Sequence, residues 1–250
     1  MENHHCANCG TSLHGQICHV CGQELITRRW STRVLVRQFV NHLTNIEKGF
    51  LYTGRVLFTA PGKVITDFWV GRTVRYYHPF RYVIIWTAIS LLINFWLGID
   101  DMLQASLQPD QLEQTLGAER LSTADQKFDS WLNVLVLLLI PVNSYVSQLL
   151  FRRHQKNYAE HLILNAFVLG QQGLIGSFTQ CIFYLAPSLF VLFIPANFLV
   201  GWVYSAFVFQ RVFREGWART SLKALAFSLA SVAVYFGLVA LFSTIAVILS

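Results

Sequence analysis

Four cysteines near the N-terminus have the spacing of metal ligands. They form two knuckles separated by eight residues, Cys6-Ala-Asn-Cys9-Gly10 and Cys18-His-Val-Cys21-Gly22. Two facing knuckles can supply the four thiolates of a tetrahedral structural zinc site. The glycine that ends each knuckle can adopt the positive φ that turns the backbone toward the sulfurs. We therefore predict a Zn²⁺-binding ribbon over residues 1–24, with the ligands Cys6, Cys9, Cys18 and Cys21.

Two alternatives to this ligand set stay open. The four cysteines could form two disulfides, although a reducing cytoplasm would prevent this. A nearby histidine could also replace one cysteine, and the candidates are His4, His5, His14 and His19.

A segment of this length cannot bury a hydrophobic core of its own. A bound metal would therefore supply most of its folding free energy. The fifth cysteine, Cys181, lies in an apolar run and is expected to be a small buried hydrophobe.

The charge of the ribbon argues against nucleic acid binding. Residues 1–24 contain Glu2 and Glu24 but no Lys or Arg, whereas phosphate contacts rely on basic side chains. No nucleic acid partner is expected, and a structural or protein-binding role is the better interpretation.

The remaining elements have the composition of an integral membrane protein. Of 250 residues, 54% are hydrophobic and 13% are charged, against roughly 25% charged in soluble domains. No cleavable signal peptide is predicted, because the first 27 residues hold neither a basic n-region nor an apolar run.

The predicted fold is an all-α membrane protein with a five-helix transmembrane bundle over residues 81–250. Its spans are expected at about 81–99, 131–151, 161–185, 188–213 and 222–249, with an outer loop at 100–130.

Basic residues predict the orientation of these spans. Segments before residue 82, at 152–156 and at 211–223 hold 17 of the 19 Lys and Arg residues, while loop 100–130 holds seven acidic ones. The positive-inside rule places all three basic segments in the cytoplasm. An even number of crossings must then separate Lys156 from Arg211, with a break near Pro187. The N-terminus is predicted inside and the C-terminus outside.

Residues 25–80 are predicted to form a basic amphipathic juxtamembrane segment. Residues 31–48 place apolar and basic side chains on opposite sides of a helix, and a second helix is expected from Pro61 to about Val70, ended by Gly71. Such helices usually lie in the headgroup region. The segment is either an anchor on anionic lipid or a lid or docking site for a partner.

Six short runs carry a resemblance to a known family. They are the two knuckles through Gln23, Pro61-Gly-Lys63, Gly71-Arg-Thr-Val-Arg-Tyr-Tyr-His-Pro-Phe80, Tyr158-Ala-Glu-His-Leu162 and, more weakly, Gly216-Trp-Ala-Arg-Thr220. On these runs the chain resembles an uncharacterised bacterial membrane family, the domain of unknown function 3667. The resemblance implies a zinc ribbon, a multi-pass membrane domain and bacterial origin. The expected location is therefore the bacterial inner membrane. It implies no known activity.

Candidates for catalysis are few. The predicted span cores contain no Asp, Glu, Lys or Arg, so no titrating proton relay is visible. Gln171 and Gln172 could line a polar cavity, or could bond helix to helix. Near the cytoplasmic interface, His78, Glu160 and His161 could serve as bases or metal ligands. Alternatively, Glu160 stabilises a helix N-terminus.

The sequence therefore predicts a non-enzymatic adaptor or regulatory protein. Its ribbon would recruit a cytoplasmic or membrane protein while its helices lie in the lipid bilayer. One alternative is a transporter of a small solute or lipid, and another is an interfacial enzyme using His78, Glu160 and His161. The adaptor is preferred because the spans lack charge and no phosphate loop, nucleophile elbow or H-E-x-x-H motif occurs.

Overall fold

The computed structural model describes residues 5–13, 15–24, 30–35, 49–99, 102 and 137–249, with side chains through Leu241 and at Thr244. These residues are helical except for turns, connections and two isolated β-bridges near the N-terminus. We number the helices α1 Phe50–Thr59, α2 Pro61–Trp69, α3 Pro79–Leu97, α4 Leu137–Leu150, α5 Tyr158–Leu185, α6 Phe193–Phe213 and α7 Trp217–Leu249. Short 3₁₀ turns at Arg152–His154 and Pro187–Leu192 precede α5 and α6.

Four helical segments are long and apolar enough to cross a bilayer. They are Pro79–Leu97, Tyr158–Leu185, Pro187–Phe213 and Trp217–Leu241. Helix α4 is apolar but shorter, and residues 131–136 of the predicted second span lie outside the described residues. So does the predicted outer loop, except for residue 102. The all-α membrane class predicted from the sequence is confirmed.

Helix α5 is the central element of the bundle. Its residues 159–168 are all buried, because protein surrounds this half on every side. The second half exposes apolar side chains such as Phe178, Ile182 and Leu185, as a surface facing lipid would. Cys181 lies on this half and is exposed. The expectation that it is a buried hydrophobe is wrong, because none of the described helices covers that side of α5.

Helices α1 and α2 pack against the spanning helices. Along α1, the carbonyl of Gly54 accepts a hydrogen bond from Gln171 on α5, and the carbonyl of Leu57 accepts one from Tyr204 on α6. Helix α1 therefore contacts two spans, α5 and α6, from residues one turn apart.

Helix α2 begins at Pro61 and ends before Gly71, whose φ of +86° stops it. Its apolar side chains Val64, Ile65 and Phe68 are almost completely buried in the same core as α5 and α6. This face is therefore covered by protein, which differs from the expectation of a face that lies in lipid headgroups. Most of the other predicted juxtamembrane helix, at 36–48, lies outside the described residues.

Candidate metal centre and polar sites

The four N-terminal cysteines converge on one point. Their sulfur atoms all lie within 4.8 Å of one another. The Cys6–Cys21 and Cys9–Cys18 sulfur pairs are each 3.5 Å apart. A tetrahedral zinc ion with sulfur ligands at about 2.3 Å would separate the sulfurs by about 3.8 Å. The cluster therefore has the dimensions to hold one metal ion, and its cysteines are free thiols.

Each knuckle has the same backbone structure. In the first, the Gly10 amide donates to the Cys6 carbonyl at 2.9 Å, and the Cys6 amide donates to the Thr11 carbonyl at 2.8 Å. The same bonds recur in the second knuckle, at Gly22, Cys18 and Gln23. Gly10 and Gly22 have φ values of +77° and +71°, as their place in each knuckle predicts. Glycine adopts positive φ without steric cost, so the local sequence favours this geometry.

The thiols of the cluster differ in acidity. Burial raises the pKa of Cys6 to about 11. The Thr11 hydroxyl, 3.3 Å from the sulfur, lowers the pKa of Cys9 to about 6. A hydrogen bond with Asn8 lowers the pKa of Cys21. Thiolates are the form that binds a metal, so metal binding at this cluster would release protons.

The cysteine module, residues 5–24, docks on the loop between α2 and α3. The Gln23 side chain is buried there, where its Oε1 accepts hydrogen bonds from the Thr73 amide at 3.0 Å and the Val74 amide at 3.3 Å. Its Nε2 donates to the Thr73 hydroxyl at 3.2 Å. From the loop side, Arg72 Nε donates to the Ala7 carbonyl at 2.8 Å. The sequence did not predict this role of Gln23. Gln23 has the same position relative to the second knuckle that Thr11 has relative to the first.

His161 lies in a closed contact between α4 and α5. Its Nδ1 is 2.8 Å from Ser147 Oγ, which also accepts a hydrogen bond from Asn165 Nδ2 at 2.8 Å. A serine beside a histidine is the arrangement of an activated nucleophile. Here both side chains are completely buried, so a substrate would have no access to them. The contact joins the two helices.

Glu160 belongs to a capping box at the start of α5. The Glu160 amide donates to Asn157 Oδ1 at 2.8 Å, and Glu160 Oε2 accepts from the Asn157 amide at 2.7 Å. Lys156 Nζ lies 3.6 Å from the other carboxylate oxygen. The carboxylate is thus engaged in helix capping, which the sequence left open as an alternative.

His78 lies at the start of α3, with its ring 6.2 Å from Phe68 of α2. The ring of His161 stacks on Phe213 of α6 at 5.9 Å. The two imidazoles therefore contact different elements, and with Glu160 they do not converge on one open site in the described structure.

The glutamines of α5 bond to neighbouring helices. Gln171 Oε1 accepts a hydrogen bond from the Tyr82 hydroxyl, which links α5 to α3. Gln172 Nε2 donates to the Gly201 carbonyl and to Ser205 Oγ on α6, both at 3.1 Å. Gln172 also lines a cavity of about 220 Å³ between α5, α6 and α7. Both glutamines therefore bond helix to helix, and Gln172 also lines a cavity whose wall is mostly apolar.

Comparison with known proteins gives one match. Residues 47–91 match the sequence model of a family described as protein of unknown function (DUF3667). No curated protein and no solved structure matches the chain. The matched segment comprises α1, α2, the loop to which Gln23 is hydrogen-bonded and the first part of α3. Across these elements, which receive the cysteine module, the chain resembles the DUF3667 family of unknown function.

Proposed function

We propose that this protein is a non-enzymatic membrane adaptor whose four cysteines hold one Zn²⁺ on the cytoplasmic side of a bacterial inner membrane. The observation that carries the proposal is the docking of the cysteine module on loop 71–74. A module bound through Gln23 and Arg72 has a defined position on the membrane domain. It can therefore present its outer surface to a partner at a constant orientation.

The outer surface of the module suits a protein partner. Ile17 and Val20 are 65% and 61% exposed there. Residues 5–24 contain no Lys or Arg, so a nucleic acid would find no basic side chains to contact. These exposed apolar side chains could be buried against a protein partner.

Contacts among the connecting loops support the proposed topology. His154, between α4 and α5, lies 3.0 Å from Glu215, between α6 and α7. Lys156 lies over the Trp69 ring of α2 at 4.4 Å. These contacts bring both basic loops to the side of the bundle that α2 and the cysteine module occupy. An even number of crossings between Lys156 and Arg211 agrees with this arrangement.

Metal analysis tests the identity of the ion. Four thiolates that leave no open coordination position favour structural zinc, and iron is the other metal that such a site accepts. We expect one zinc per chain in the purified protein by plasma mass spectrometry, and none in the double variant Cys6→Ser, Cys9→Ser. Cys181→Ser is the matched control, because it removes an exposed cysteine outside the cluster, and it should keep its zinc. Iron in place of zinc, or zinc retained in the double variant, would contradict this assignment.

Crosslinking in cells followed by mass spectrometry tests the adaptor role. The wild-type chain, Cys181→Ser and the Cys6→Ser, Cys9→Ser variant are compared at equal membrane abundance. We expect one partner to be crosslinked to residues 5–24 in the first two samples and absent from the third. The same crosslinks in all three samples would show that the module is only a structural element, and would end the adaptor proposal.

A second candidate function is transport of a small solute or lipid, which the cavity beside Gln172 favours. Transport would survive deletion of residues 1–24, whereas the adaptor role would not. The interfacial enzyme is disfavoured because His161 is enclosed and Glu160 caps a helix.

A further inference from the structure

The cavity between α5, α6 and α7 lies at mid-depth in the bundle. Gln172 stands near the midpoint of the 28-residue helix α5, about 21 Å from its first residue. The other helices also contribute residues from their middle turns, including Gly201 of α6 and Ser231 of α7. The cavity is therefore close to the centre of the apolar spans and distant from either end.

Polar atoms at this cavity have unused hydrogen-bonding capacity. Gln172 donates to α6 through its Nε2, but its Oε1 accepts no hydrogen bond from the described residues. The Ser228 hydroxyl has no partner in the described part of the chain. Ser231 accepts a hydrogen bond from Asn143 at 3.0 Å and has its own hydrogen to donate. Unpaired polar groups are costly at this depth, because the bilayer core holds no water to satisfy them. The cavity suits an occupant that both donates and accepts hydrogen bonds.

The chemistry of the walls limits what the occupant can be. None of the lining residues is charged, and a charge at the bilayer centre costs several kcal/mol. Much of the wall is apolar, from side chains such as Trp202 and Phe227. Val232 lines the cavity and is 38% exposed, so one wall reaches the surface that faces lipid. An uncharged molecule could enter sideways from the bilayer.

We propose that this cavity binds the hydroxyl-bearing end of an uncharged lipid. Such a lipid can reach the bilayer centre, since it has no ionised headgroup to hold it at the interface. Its hydroxyl hydrogen would bond to Gln172 Oε1, and its oxygen would accept a hydrogen bond from Ser228. The volume of about 220 Å³ accommodates the end of one lipid. The site belongs to the membrane domain and does not depend on the adaptor role.

Photocrosslinking tests the site. The full-length protein in phosphatidylcholine vesicles is irradiated with a trace of diazirine-bearing hexadecanol, and separately with the methyl ether of the same probe. The labelled peptides are then mapped. We expect the alcohol to label residues 172–176 or 197–202 about fivefold more than the ether, since one hydrogen bond contributes about 1 kcal/mol. Equal labelling by both probes would mean apolar contact only, and the proposal would be wrong.

Two variants make the result specific. A Cβ on Gly176 meets nothing within 4 Å, so Gly176→Leu should fill the cavity without unfolding the bundle and abolish the labelling. Gly237→Leu is the control on α7, since its Cβ also meets open space but it does not line the cavity. Should Gly176→Leu fail to fold, Ser228→Ala is expected to lower labelling by both probes, because the alcohol and the ether each have an oxygen that accepts a hydrogen bond from Ser228. Unchanged labelling by the alcohol in this variant would overturn the proposal.

Unchanged labelling in the folded Gly176→Leu variant, or no labelling of the wild-type protein, would overturn the proposal. Either failure would leave the adaptor role untouched, because that role is tested through crosslinks to residues 5–24.

Discussion

Gln23 and Thr11 occupy the same position in the two knuckles but use their side chains differently. Thr11 bonds to Cys9 within the cluster, whereas Gln23 reaches outward to Thr73 and Val74. The Thr11 side chain therefore serves the cluster itself, whereas the Gln23 side chain attaches the module to the membrane domain. This division makes the attachment separable from metal binding by a single substitution.

Gln23→Ala should detach the module without releasing the metal. The amides of Thr73 and Val74 lose their acceptor, so their hydrogen exchange should become at least about fivefold faster, in line with the loss of about 1 kcal/mol per hydrogen bond. The metal content should stay at the wild-type value, because the four cysteines are intact. Gln16→Ala is the matched control, since Gln16 is exposed on the same module. Unchanged exchange at residues 73–74 in Gln23→Ala would show that Gln23 does not hold the two parts together.

At the scale of the elements, the contact between α3 and α5 depends on a small residue. A Cβ on Gly170 would lie 2.6 Å from Tyr82 Cδ1 and 3.0 Å from Val83 Cα. Small residues let membrane helices approach closely, so that dispersion contacts and hydrogen bonds can form between them. Here the close approach brings the Tyr82 hydroxyl to Gln171.

Gly170→Ala should destabilise the bundle by about 1–3 kcal/mol, the usual cost of overpacking. Thermal unfolding in detergent measures the effect as a lower midpoint temperature. Gly176→Ala is the control on the same helix, because a Cβ there meets nothing within 4 Å. If both variants unfold at the wild-type temperature, α3 and α5 do not pack as closely as described.

Across the whole molecule, one carboxylate joins the loops at the basic end of the bundle. Glu215 Oε1 is 2.8 Å from Lys223 Nζ and 3.0 Å from His154 Nε2. Burial of Glu215 tends to raise its pKa, but the hydrogen bonds from Lys223 and His154 outweigh burial and lower the pKa below its usual 4.5. The ionised carboxylate thus stabilises the folded state.

The stability of the protein should therefore fall in acid. A carboxyl whose pKa is lower when folded contributes stability that is complete above pH 4.5 and is lost as the pH falls through the folded value. Unfolding midpoints measured between about pH 6 and about pH 3 should drop less in Glu215→Gln than in the wild-type protein. Glu24→Gln serves as the control, since it removes one carboxylate from the cysteine module. Equal drops in Glu215→Gln and the wild-type protein would exclude Glu215 as a source of this acid sensitivity.

Local chemistry explains which features could be predicted from the sequence by itself. The knuckles, the turn at Pro187 and the end of α2 at Gly71 each depend on residues within one or two turns of the chain. The apolar length of a span is likewise a property of one continuous segment. These features need no partner from elsewhere in the chain, so spacing and composition were enough to determine them.

Only the tertiary structure decided which surfaces meet. Gln23 bonds to residues about 50 positions away, and the buried Trp30 indole donates to the Phe68 carbonyl at 2.8 Å. No local pattern indicates that the apolar face of α2 packs on protein while Cys181 faces outward. An apolar side chain is equally stable in lipid and in a protein core. In a membrane protein, hydrophobicity therefore determines which segments enter the bilayer, but not what each face of a segment contacts. Shape and hydrogen bonding between distant segments then determine what each face contacts.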